Sequence, residues 1–220
     1  MLKRVFLFSL CFSCLTGSLC AQEKVATEQQ TIAASQQIVQ PASKKRWSAP
    51  PAMKINIEKT YIATLKTTLG DIKIELFTKD SPNTVNNFVF LARESFYDGT
   101  IFHRIIKDFM IQGGDPLGTG EGDPGYSFND ELPAKSSYIP GIFAMANAGP
   151  NTQGSQFFIC NGENAKKLDS RPNYTQFGKV IEGMDVVQKI SSVEVEGSAT
   201  GEMSKPKTPP VLQTVIIEEK

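Results

Sequence analysis

From residue 101 onward the apolar residues come in short runs: Ile101–Ile106, Phe109–Gln112, Ile142–Met145, Gln156–Ile159 and Gln176–Ile181. Gly-, Pro-, Asn- and Asp-rich stretches separate them. Runs this short leave little room for a helix, which needs about 8–20 residues, but suit strands of about 4–8. Upstream, Thr60–Thr67 and Asp71–Phe77 alternate, with Ile72, Ile74 and Leu76 on one face and Asp71, Lys73 and Glu75 on the other. With Leu69-Gly70 at the turn, this predicts a hairpin with one buried face. Ser81-Pro82 supplies an N-cap and a first-turn proline, and Val85, Phe88, Val89, Ala92 and Phe96 follow at helical spacing, so one helix spans about 83–94. A second is expected over Met184–Ser191, with Val186, Val187 and Ile190 inward, and Val211–Ile217 reads as a last strand. Many short strands and two helices make a mainly β protein, an antiparallel barrel or sandwich with helical lids.

The N-terminal quarter differs. Residues 1–21 read MLKRVFLFSLCFSCLTGSLCA, with Lys3 and Arg4 ahead of an apolar run and small residues before Gln22. That is the pattern of a secretory signal peptide cleaved after Ala21, too short for the roughly 20 apolar residues of a stable membrane span. Cys11, Cys14 and Cys20 lie inside it, so cleavage leaves Cys160 without an internal partner. Lipid anchoring at Cys20 is the alternative, against which the bulky Leu19 stands. Residues 22–57 are rich in Gln, Ala, Ser and Thr with few large apolar side chains, and read as a flexible polar linker. Trp47, beside Lys44, Lys45 and Arg46, reads as an exposed side chain or a contact to an anionic surface. Of the 17 glycines all but Gly17 lie after residue 57, which puts the folded body at 58–220.

That body carries 16 Lys/Arg against 21 Asp/Glu. An acidic body without a basic stripe is a poor partner for nucleic acid. His103 is the only histidine, too few for a multi-His metal site.

Two stretches look like site rather than scaffold. In FHRIIKDFMIQGGDP (102–116), side chains two apart share a strand face, so Phe102, Arg104 and Ile106 point one way, and Met110 and Gln112 share a direction beyond a Lys107-Asp108 turn. A guanidinium among apolar neighbours is either a surface cation lying on them or a functional group. In FAMANAGPNTQGSQFFIC (143–160), the Ala146–Gln156 core holds only small or amide side chains and one proline, suited to bringing backbone groups against an extended chain.

With these stretches in place, the body resembles the cyclophilins, peptidyl-prolyl cis-trans isomerases, and most nearly their bacterial exported type. YDGTIFHRIIKDFMIQGGDP (97–116), GTGEGDPGYSFNDE (118–131), MANAGPNTQGSQFFI (145–159) and YTQFGKV (174–180) carry the likeness. The resemblance implies an eight-stranded antiparallel β-barrel closed by two α-helices, acting on proline-containing unfolded or extended polypeptides with no cofactor, as a monomer. It implies Arg104 as catalytic residue and Gln112 as the group that holds it. Phe109, Met110, Phe158 and Leu168 would line a proline pocket shaped by His103. Ala146, Asn147 and Gln156 would engage peptide backbone, with Tyr174 at the rim.

This chain departs from drug-sensitive relatives in having Lys167 where they carry tryptophan, which predicts weakened cyclosporin A binding. Tyr174 replaces a common histidine, and the 168–177 loop looks two residues longer. The glycine run 118–122 lacks the lysine and helix of a phosphate cradle, and Ser155 lacks the G-x-S-x-G elbow of a serine hydrolase. The remaining alternative is a non-catalytic module that binds proline peptides.

Overall fold

The computed structural model describes residues 45–220. The expected signal segment 1–21, with Cys20, and residues 22–44 of the linker lie outside them. Among the described residues no helix is long and apolar enough to cross a membrane.

Strands β1 (Tyr61–Thr67) and β2 (Gly70–Leu76) form the predicted hairpin, Tyr61 opposite Leu76 and Thr67 opposite Gly70. Gly70 turns the chain at φ +131°, a conformation side chains with a Cβ rarely adopt. Helix α1 spans Pro82–Arg93 and α2 Met184–Ser191, the latter on its predicted residues. Ser81 does not cap α1. Its hydroxyl donates to the Gln176 carbonyl at 2.8 Å, while the Glu131 carboxylate accepts from the Asn83 and Thr84 N–H groups at 3.1 and 2.8 Å. A carboxylate there satisfies orphan donors and complements the helix dipole.

The other strands are β3 (Thr100–Ile101), β4 (Arg104–Ile106), β5 (Met110–Gly113), β6 (Ile142–Met145), β7 (Phe157–Cys160), β8 (Gln176–Glu182) and β11 (Val211–Glu219). Together with β1 and β2 they make a nine-stranded antiparallel sheet, ordered β3-β11-β1-β2-β8-β6-β7-β5-β4. β9 (Val195–Gly197) and β10 (Met203–Pro206) form a separate hairpin. The sheet's two edge strands are therefore consecutive in the chain, joined only by Phe102 and His103, so the sheet must curl into a half-barrel. The mainly β class stands, with nine strands in place of eight. Ile101–Ile106, which alternates like one strand, breaks in the middle and serves both edges. A 3-10 helix over Glu163–Ser170 adds a third helical element.

Inside the curl an aromatic cluster centres on Phe88 of α1, whose ring lies 5.1 Å from Tyr97, 5.3 Å from Phe143 and 5.5 Å from Phe177. Tilted and edge-on pairs at these spacings add about 0.5–1.5 kcal/mol each beyond burial. Phe102 belongs to this core, fully buried beside Phe157. It points inward and not with Arg104, because the strand is broken at Phe102 and His103, between the two edges.

Residues 45–57, assigned to the linker by composition, pack on the body. Trp47 is partly buried against Phe90 and Phe96, its backbone N–H donating to the Pro124 carbonyl at 2.8 Å. Asn86 of α1 clasps the segment through the Lys54 N–H (2.8 Å) and the Ala52 carbonyl (3.1 Å), and Ile55 is buried. Lys45 and Arg46 pair with Glu94 and Asp123. The described fold thus includes residue 45 onward. Composition misses this because two side chains, Trp47 and Ile55, with the clasp of Asn86 from α1, hold an otherwise polar stretch.

Candidate active site

Alternation along β4, β5 and β7 sorts their side chains onto two faces. Ile105, Ile111, Phe157 and Ile159 face the aromatic core, and Met110, Phe158 and Cys160 belong to a second, outer apolar cluster. Register then builds a row across four strands on that outer side. Arg104 lies opposite Gln112, Gln112 opposite Phe158, and Phe158 opposite Ala144. Directly opposed residues hold their Cβ atoms about 4.5–5.5 Å apart, so Arg104 and Gln112 meet as a consequence of strand pairing.

The side chains in the row are tied together. Arg104 Nη1 donates to Gln112 Oε1 at 3.3 Å and faces Met110 Sδ at 3.8 Å. Gln112 Nε2 donates to Gln156 Oε1 at 3.0 Å, and Gln156 Nε2 donates to the Gly120 and Gly122 carbonyls at 2.9 and 3.0 Å. The donors of Gln156 are thus turned to the 120–122 loop, bracing it, rather than to a ligand. On its other side the guanidinium meets Glu202, with Nε 2.7 Å and Nη2 2.8 Å from the two carboxylate oxygens. Those bonds hold the Glu202 carboxyl below its ordinary pKa. Nothing in the sequence flags Glu202. It lies 98 residues from Arg104, in an unpatterned Ser-Ala-Thr-Gly loop.

The expected pocket residues gather beside this row. Phe109, Leu168 and Tyr174 are partly buried on the same outer cluster as Met110 and Phe158, and the Tyr174 ring stands edge-on to Phe158 at 5.4 Å. Leu168 and the exposed Lys167 ride on the 3-10 helix, which Asp108 anchors. This turn residue has φ +60° and accepts from the Glu163 N–H at 3.0 Å and from Asn164 Nδ2 at 2.7 Å. The Lys107-Asp108 turn is therefore also the mooring of the rim.

Asn147 spends its side chain on the long loop, donating to the Asn173 carbonyl at 2.8 Å. Among the described residues no partner takes its backbone N–H or carbonyl, whereas the Ala146 N–H is occupied by the Gln156 carbonyl at 2.9 Å. A trough of about 550 Å³ runs from Gln112 and Gln156 past Ala146, Asn147 and Gly122 to Arg46. Arg46, read from the sequence only as part of a basic run beside Trp47, is a wall of this trough.

His103 is not in the row. Both ring nitrogens are buried without a hydrogen-bond partner among the described residues, and the ring packs behind the 118–120 loop near Gly120. Burial pushes its pKa down, with Asp115 opposing and Arg104 assisting. The imidazole there backs the 118–120 loop and does not line the trough. Asp115, fully buried, accepts from the Leu117, Thr119 and Gly120 N–H groups and so sets that loop.

Comparison with known proteins points the same way. Residues 62–217 match the family described as cyclophilin type peptidyl-prolyl cis-trans isomerase/CLD. The Mycobacterium tuberculosis peptidyl-prolyl cis-trans isomerase A is 45% identical over 176 residues, covering 72% of this chain and 92% of the relative. A Gallus gallus peptidyl-prolyl cis-trans isomerase-like 3 is 47% identical over 136 residues, covering 60% and 83%. Among solved structures, a Cryptosporidium parvum cyclophilin type isomerase superposes with TM-score 0.66 at 34% identity, covering 73% of this chain and 99% of that one. The same protein in the presence of the dipeptide Ala-Pro gives TM-score 0.65. With the family matched over most of its length, the chain belongs to the cyclophilin-type peptidyl-prolyl cis-trans isomerases.

Proposed function

We propose that this isomerase acts at Arg104 on Xaa-Pro bonds in extended segments of proteins that are exported with it. The carrying observation is the guanidinium fixed between Gln112 and Glu202 beside the apolar Met110 and Phe158. The Xaa-Pro bond resists rotation by about 18–20 kcal/mol, and no heavy-atom bond is made or broken in the exchange. At the twisted transition state the amide loses resonance and the prolyl nitrogen regains its lone pair. An N–H aimed at that nitrogen binds the twisted state better than the planar one, which lowers the barrier. Apolar walls strengthen the interaction, and a proline ring held against them leaves only the preceding carbonyl to swing. The unpaired backbone of Asn147 suits an extended peptide, and a relative crystallised in the presence of Ala-Pro supports the same ligand class.

The exported setting rests on the sequence MLKRVFLFSLCFSCLTGSLCA, and implies a mature protein beginning at Gln22, periplasmic or released. Lys167 at the rim weakens cyclosporin A binding without touching the row. The test is exchange of an Ala-Pro peptide followed by NMR without a coupled protease, together with the mass of the mature N-terminus. Arg104→Ala should lower kcat/KM by about 100-fold. An unchanged rate would overturn catalysis at Arg104, a wild type with no exchange above background would leave a proline-peptide-binding module without turnover, and a mature chain that keeps residues 1–21 would remove the exported setting.

A further inference from the structure

A carboxylate from outside the strand row reaches the guanidinium. Glu202 closes the loop between β9 and β10, where the Ser198 N–H donates to the Glu202 carbonyl at 2.8 Å and the Gly201 N–H to the Ser198 carbonyl at 2.9 Å. Gly201 takes φ +83° to make that turn. Met203 then pairs with Gly197, and the Lys207 N–H donates to the Glu194 carbonyl at 2.9 Å, so the hairpin is braced below its tip. From this support both carboxylate oxygens meet Arg104 side-on, at Nε and Nη2.

A guanidinium carries five N–H donors in a rigid plane. Glu202 takes the Nε hydrogen and one on Nη2. Gln112 and the Met110 sulfur face Nη1. One Nη2 hydrogen is left without a partner among the described residues. Because the fork is planar, pinning it at two edges fixes the direction of that hydrogen.

The pair is a poor stability device. Its side chains keep 35% and 38% of their exposure, and partly solvated ion pairs contribute little. Orientation is where it counts, since a donor misplaced by about 1 Å can cost on the order of 100-fold in rate. Neutralising the guanidinium does not defeat the site either. The prolyl nitrogen is an uncharged lone pair that needs a directed N–H more than a net positive field.

We propose that Glu202 is a positioning residue that holds the Arg104 fork side-on, so that its remaining Nη2 hydrogen faces the prolyl nitrogen. This rests on the reading of Arg104 as catalytic. Glu202 does its work through Arg104 and leaves peptide binding to the apolar wall and Asn147.

The test measures kcat and KM separately by NMR exchange in the full chain for the wild type, Glu202→Gln, Arg104→Ala and the double variant. Glu202→Gln should lower kcat about tenfold or more with KM within about twofold. The Arg104 Nε–H resonance should move while the melting temperature stays. In the Arg104→Ala background, read at raised enzyme concentration, Glu202→Gln should change nothing further, as expected of a residue acting through its partner. Unchanged or raised kcat in Glu202→Gln, with Arg104→Ala still inactive, overturns the positioning role and leaves the catalytic reading intact. The same holds if the two losses simply add. Wild-type turnover in Arg104→Ala sinks both.

Discussion

Trp47→Ala tests whether the polar N-terminal stretch is part of the fold. Trp47 is the chain's only tryptophan, set edge-on to Phe90 with ring centroids 5.2 Å apart and tilted on Phe96 at 5.9 Å. Its backbone presses on the loop that walls the trough: a Cβ at Gly125, where φ is +99°, would stand 2.3 Å from the Trp47 carbonyl oxygen. Aromatic side chains bury about 150–250 Å² when fully covered. At about 25 cal/mol per Å², covering roughly 120 Å² of a partly exposed ring stabilises by about 3 kcal/mol. Two aromatic pairs add about 1 kcal/mol, and lost side-chain ordering gives back a similar amount. The expected loss is therefore about 3 kcal/mol, in the range of large-to-small core changes. For a chain of this size each kcal/mol moves the midpoint by about 2–4 °C, so calorimetry should find Trp47→Ala melting about 6–12 °C lower. Wild-type tryptophan fluorescence should shift to the red in that same transition. A midpoint within about 2 °C of wild type would refute the reasoning, because the segment would then be lying on the body without stabilising it.

His103 gives a pH dependence with a definite sign. Burial lowers its pKa below 6.5, so the unfolded chain takes up a proton that the native chain refuses, and stability falls as pH drops from about 6.5 toward the native value. Urea unfolding at pH 7.5 and 5.5 should show that loss in the wild type and a smaller one in His103→Leu. An equal slope in both would refute it. The depressed carboxyls of Asp169, Asp185, Glu202 and Glu219 add their losses only below their ordinary values of 3.8–4.5. Cys160, whose thiol is pushed up to about 12 by burial, should resist iodoacetamide in the native protein at pH 8 and react once unfolded. Rapid native labelling, read by mass, would contradict that. Inhibition by cyclosporin A should be weak for the wild type and strengthen in Lys167→Trp, and nanomolar potency of the wild type would count against the role given to Lys167.

What could be read beforehand was set by local periodicity. The hairpin, both α-helices and the shared face of Met110 and Gln112 follow from spacing alone, because each rests on contacts within one or two turns or one strand pair. Arg104 and Gln112 were legible as a pair only through the family likeness, since their meeting needs the β4–β5 register. Three features were closed to such reading. Phe102 turns inward because its run serves both edges of one curled sheet, which no window of a few residues contains. Glu131 caps α1 from 47 residues away, displacing the nearer Ser81. Glu202 reaches Arg104 from a loop whose composition is that of any turn. In each case a long-range partner outweighs the local preference.

The most direct test of the central claim separates ground-state from transition-state binding at Arg104. Peptide affinity and the saturated cis–trans exchange rate can be read from a single NMR titration of wild type and Arg104→Ala with an Ala-Pro peptide. The account predicts that affinity stays within a few-fold while exchange at saturation falls by about 100-fold, since the guanidinium prefers the twisted bond. If affinity collapses while the saturated rate survives, Arg104 is a handle for the peptide and not the group that turns it.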